Sequence, residues 1–182
     1  WCFVEASLSA ALKRGPRRVD IGKFTADKRF GPFVSHAIAG CARSGTRPPP
    51  RHPSSVAKML ESKSFFAKSI DLPKVAALYR DFFETVAPRQ RELLLSRLEW
   101  GDEEVVELAG ALPSFVALES LDLYGNQIGA EGGKALAASV AVSGSLTCCN
   151  VLRNYLDEAA ARLLGEAVQA KNISLCGIKS DQ

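Results

Sequence analysis

Between residues 90 and 168 the same pattern of apolar residues returns every 28 positions. Leu118, Leu121, Leu123, Asn126, Ile128, Leu136 and Val140 are matched, 28 residues on, by Leu146, Cys149, Val151, Asn154, Leu156, Leu164 and Val168. Every apolar residue meets an apolar one, and Asn meets Asn. The same step backwards gives Gln90, Leu93, Leu95, Leu98, Trp100, Leu108 and Leu112, of which all but Gln90 and Leu98 keep the pattern. A last partial copy, Ile173, Cys176 and Ile178, comes one residue short of the period. A fixed period of this length marks a supersecondary unit stacked on copies of itself, because one copy cannot bury its own apolar face.

Each unit carries two periodicities. Leu118 to Leu123 places apolar residues two and three apart, as in a short strand with one buried face. Residues 130–141 place them three and four apart, as in a helix, so the fold class is α/β. Strands are expected near 93–95, 121–123 and 149–151, parallel and adjacent, each followed by a helix. Asp102-Glu103-Glu104, Glu131 and Asp157-Glu158 mark the helix starts, where negative charge complements the helix dipole. Upstream, Pro73 to Val86 reads as a helix, with Asp71 as N-cap and Pro73 in the first turn. Phe65 to Leu72 reads as the decayed strand of one more repeat, and Ser54 to Lys63 as a short helix. Residues 40–53 (GCARSGTRPPPRHP) have linker composition, and residues 1–39 hold too few apolar residues to close a core. The chain divides into a basic extension (1–53), a helical cap or degenerate repeat (54–88) and the repeats (89–182). It begins at Trp1 rather than Met and is read as a processed product, a fragment, or a sequence that starts where order begins.

The pattern LESLDLYGNQIGAEGGKALAASV resembles the leucine-rich repeats of the ribonuclease-inhibitor type, and the ending KNISLCGI is similar to a closing strand of such proteins. The resemblance covers about residues 89–182. It implies a short solenoid with parallel strands on a concave face and helices on a convex one, and a role in binding or scaffolding rather than catalysis. Leu98 departs from the pattern by replacing the Asn that satisfies turn backbone, and Cys149 by replacing a Leu. On the concave face, alternation along each strand turns Ser120, Asp122 and Tyr124 outward, with Glu92, Leu94 and Ser96 before them and Cys148, Asn150 and Leu152 after. The candidate partner-binding residues are therefore Leu94, Ser96, Ser120, Asp122, Tyr124, Asn150 and Leu152. Cover by another part of the chain is the competing reading of the exposed apolar cluster.

Charge is unevenly placed. Residues 1–68 hold 13 Lys/Arg against 4 Asp/Glu, a net of +9, and residues 69–182 hold 10 against 16, a net of −6. Arg14, Arg17, Arg18, Lys23, Arg47 and Arg51 are the candidate contacts of the extension, which is expected to run over a partner and make few contacts with the repeats. A fold back onto the chain's own acidic helices is the alternative. No nucleic-acid motif surrounds these residues, so a protein surface is preferred to RNA. The five cysteines lack metal or framework spacing, fitting a reducing intracellular compartment, cytoplasmic or organellar. All five are expected to be free thiols. No apolar stretch is long enough to span a membrane, although peripheral association through partners stays open. GNQIGAEGGKA fails the phosphate-loop pattern at both ends. His36 and His52 have no motif-spaced partner, so no catalytic, metal or cofactor residue is assigned. Asn172-Ile173-Ser174 matches a glycosylation acceptor but falls where a buried strand is expected. The expected function is a non-catalytic protein-interaction module, an accessory or scaffold subunit of a larger assembly. A regulator of a small GTPase or a sensor, and an RNA-associated subunit docked through the extension, are the alternatives.

Overall fold

The computed structural model describes residues 48–64 and 67–176. Within them the chain forms helix α1 (Pro53–Glu61), α2 (Lys68–Val86), strand β1 (Glu92–Leu94), α3 (Asp102–Ala111), β2 (Ser120–Asp122), α4 (Ala130–Val142), β3 (Cys148–Asn150), α5 (Glu158–Lys171) and β4 (Ser174–Cys176), with short 3-10 turns at Ala87–Arg89 and Leu112–Ser114. The four strands make one parallel sheet in chain order, β1-β2-β3-β4. Leu93 pairs with Leu121 and Leu121 with Cys149, so the 28-residue period is the register of the sheet. Each strand begins one residue earlier than the sequence indicated.

Three departures from the sequence reading have physical causes. The helix expected from Pro73 begins at Lys68, so residues 68–72 are helical and not a decayed strand. The Asp71 carboxylate reaches back to accept from the Ala67 amide at 3.2 Å, serving a free donor from inside the first turn rather than as N-cap. Pro73 lies inside α2, past the first turn where the sequence placed it, so the helix forgoes one i→i−4 bond there. In the last copy Cys149 pairs with Leu175, so Leu175 faces the core side and Cys176, paired with Asn150, is exposed. Only Asn172 and Ile173 separate α5 from β4, against five residues between α4 and β3, and this shorter link shifts the register. Asn172 is itself exposed, ending α5 in the left-handed conformation (φ 54°), a position that Asn tolerates, and it is not in a buried strand.

One apolar core runs through the described residues. Leu93, Leu121 and Cys149 of the strands meet Leu108, Leu136 and Leu164 of the helices, all of them buried. The core continues into α1 and α2 through Val56, Leu60, Tyr79 and Phe83, where the Phe83 and Phe115 rings meet edge to face at 5.7 Å. Helices α4 and α5 approach so closely that a Cβ on Gly133 would lie 2.7 Å from Ala160 Cβ. The repeated asparagines stitch the turns behind the strands. Asn126 Oδ1 accepts from the amides of Leu98 and Trp100, and its Nδ2 donates to the carbonyls of Leu95 and Leu123. Asn154 makes the equivalent bridge one repeat later, to Ile128, Leu123 and Val151. Each Asn thus serves the repeat before it. Position 98 starts the series, and Leu fills it with an apolar side chain that is almost fully buried.

Candidate functional site

Among the described residues, alternation along the strands turns one row of each strand away from the core side. Ser120, Asp122, Cys148 and Asn150 are half-buried in these rows, and so is Ser96 beyond the end of β1. Leu94 is 38% exposed and Leu152 43%; the half-buried Tyr124 stands one 28-residue step before Leu152, whereas Leu94 pairs with Asp122, one outward position earlier. Asp122 and Asn150 each fold a side-chain oxygen back onto the amide two residues on, Tyr124 at 3.1 Å and Leu152 at 3.2 Å. These local turns end the strands and fix the outward residues that follow.

Beyond them lies a feature that the alternation argument missed. Positions 97, 125 and 153, each 28 residues apart, all take the left-handed backbone conformation, with φ of 55°, 68° and 57°. The middle one is glycine; the outer two are arginine. Their guanidinium carbons stand 5.3 Å (Arg97) and 5.6 Å (Arg153) from the centre of the Tyr124 ring, within cation–π range. The backbone beneath is tied by the Arg97 amide to the Tyr124 carbonyl and by the Gly125 amide to the Leu152 carbonyl. The sequence carried the signal, since Arg97 and Arg153 lie two periods apart, but they follow the strand pattern and fall outside it.

Of the basic extension, residues 48–53 belong to the described part of the chain. Arg14, Arg17, Arg18, Lys23 and Arg47 lie outside the described residues, as do Cys2, Cys41 and His36. Arg51 does not project toward a partner. Its Nε lies 3.4 Å from Glu107 Oε2 of α3, its side chain is 18% exposed, and its carbonyl accepts from the Tyr79 hydroxyl at 2.8 Å. Residues 48–53 therefore pack on the body, and the expectation of few contacts fails for them. Glu107 Oε2 is shielded from water although its side chain is 36% exposed, and the Arg51 guanidinium beside it offsets that oxygen's charge.

Other chemistry-bearing groups are engaged or isolated. His52 caps α1, its Nδ1 accepting from the Ser54 amide. A groove of about 720 Å³ runs between α1 and α2, lined by Pro53, Ala57, Ala76, Phe83 and Pro88 together with His52, Arg80 and Glu84. Cys148, Cys149 and Cys176 are free thiols. Burial pushes the Cys149 thiol up to about 12, the opposite of the shift that activates a nucleophile. Asp102 Oδ1 accepts from the amides of Gly129 and Gly132, so the glycine-rich segment meets a carboxylate of its own chain. Among the described residues no group of three or more His, Cys, Asp or Glu could hold a metal, and no helix is long and apolar enough to cross a membrane. No protein-family model and no curated protein matches the chain.

Proposed function

We propose that this protein is a non-catalytic protein-interaction module, an accessory or scaffold subunit of a larger assembly, built as a short leucine-rich-repeat solenoid. The outward face of the sheet is its concave docking surface. The observation that carries the reading is the row formed by Tyr124 and Leu152, equivalent positions one 28-residue step apart just past the ends of paired parallel strands, with the exposed Leu94 one outward position earlier, beside Asp122. Such a row can bury apolar area against a partner with little ordering cost, because its backbone is already fixed. The 28-residue register, the Asn126 and Asn154 bridges and the strand-then-helix order all fit the leucine-rich-repeat architecture. Among the described residues the shifted Cys149 thiol is buried and held neutral, which fits binding better than chemistry.

The test is native mass spectrometry of the assembly purified from source, followed by capture with two variants. Leu152→Asp, on the sheet face, is expected to release the partner. Val142→Asp, at an exposed position at the end of α4 (67%), is expected to keep it. A chain recovered without any partner, or a partner retained by Leu152→Asp, defeats the proposal.

A further inference from the structure

We infer that Arg97, Tyr124 and Arg153 form a clamp for an acidic polypeptide segment of the partner, an inference that rests on the interaction reading above. The first argument is conformational. Left-handed backbone is the natural place for glycine and costs free energy for a residue with a Cβ. The middle repeat takes the relaxed choice at Gly125, whereas the flanking repeats place arginine at equivalent φ. Both arginines are exposed, so core packing does not require them. What remains to justify the strain is the guanidinium.

The second argument is geometric. A Cβ on Gly125 would lie 3.3 Å from Arg97 Cγ, so the glycine leaves room for Arg97 to lie across toward the Tyr124 ring. Register brings Arg153 to the same ring from the other neighbouring strand. A guanidinium held near a ring by cation–π attraction keeps N–H groups for a second partner, and its fork matches a carboxylate two bonds at a time. Among the described residues neither Arg97 nor Arg153 has an ion pair or a side-chain hydrogen bond, so ten N–H donors stand ready on a preset frame.

The third argument is charge. Residues 69–182 carry a net −6, and the two arginines form a local cationic spot on that acidic body. A nucleic-acid strand needs a continuous basic track. Here the row below the arginines carries Asp122, and Leu152 beside them offers apolar surface. Carboxylates on the guanidinium edges and an aliphatic side chain on Leu152 satisfy both features at once, which favours polypeptide.

The probe is a fluorescent hexapeptide alternating glutamate and leucine, followed by anisotropy with the full chain, alongside its glutamine counterpart and an oligothymidine of equal charge. The glutamate peptide is expected to bind, the glutamine peptide not to, and the oligothymidine to compete poorly. In Arg97→Gly/Arg153→Gly affinity should fall at least tenfold while the Tm holds or rises, because glycine relieves the backbone. Arg97→Lys/Arg153→Lys should recover only part of it. Failure of the glutamate peptide to bind, or stronger binding of the oligothymidine, overturns the inference. So does a Tm that falls in the glycine variant, which makes the arginines structural. Unchanged affinity in that variant assigns the peptide to other cations of the chain. If the partner is then still released by Leu152→Asp, the interaction reading stands without the clamp.

Discussion

Asn126 shows how much one side chain holds in a repeat this short. It is 3% exposed and joins four backbone groups from two successive turns. Asn126→Ala would leave those donors and acceptors buried and unpaired, at roughly 1–3 kcal/mol for each that water cannot reach. A loss of about 3 kcal/mol or more is expected from urea unfolding. Asn154→Ala should cost less, because Asn154 is only half-buried and water can replace part of its bridge. An equal loss at the two sites would contradict this account. Titration gives a second prediction. Burial raises both the Cys149 thiol and the Tyr79 hydroxyl to about 12, from ordinary values of 9.0 and 10.0. Both groups are neutral in the folded chain, while the unfolded chain ionises them sooner. Their contribution is therefore complete below about pH 9 and declines as pH rises toward 12, by up to ~1.4 kcal/mol per pH unit for each group. Urea midpoints measured from pH 8 to 11 should fall, and Tyr79→Phe should flatten the upper part of that fall.

Helices α4 and α5 come together across the smallest side chain available. A methyl on Gly133 would meet Ala160 Cβ and Leu156 Cδ2 at 2.7 Å, whereas one on Gly165 meets nothing within 4 Å. Gly133→Ala should thus cost about 1–3 kcal/mol through overpacking, despite the better helix former. Gly165→Ala, in the middle of α5, should stabilise by up to ~1 kcal/mol. Opposite shifts in Tm are the expected result, and a rise at both sites would mean that α4 and α5 are not in close contact. The two glycines are indistinguishable by residue type, and only their phase against the apolar stripe separates them. The same limit governs what the sequence could reveal elsewhere. Leu93, Leu121 and Cys149 were legible because a buried position repeats its hydrophobicity. The start of α2 was not, since Asp71 looks like an N-cap until its bond to Ala67 is seen. The shift at Leu175 was hidden because Ile173, Leu175 and Cys176 are all apolar, and loop length decides which of them turns inward. Arg97 and Arg153 escaped because a surface position may repeat its backbone conformation while changing its side chain.

Across the whole molecule, α1 and α2 close the first end of the repeats. Val56, Leu60, Tyr79 and Phe83 extend the core past Phe115, and Arg51 fastens the entering chain to Glu107. A chain cut to residues 89–182 should lose its cooperative melt and expose Phe115 to dye binding, and a sharp transition near that of the full chain would show the cap to be dispensable. Leu121→Ala, in the middle of the sheet, should cost roughly 2–5 kcal/mol in the full chain, because neighbours on both sides prevent collapse into the void. Among the described residues the four strands pair in chain order, each with its neighbours in sequence, and this has a consequence in time. None of these four strands waits for a distant partner, so the sheet closes its contacts in the order in which a ribosome releases them. At about 5–20 residues per second, one 28-residue step takes on the order of a few seconds, far longer than a helix or a short loop needs to form. The cap emerges first and offers Phe83 to the first repeat, and each unit then settles on the one before it while the next is still being made.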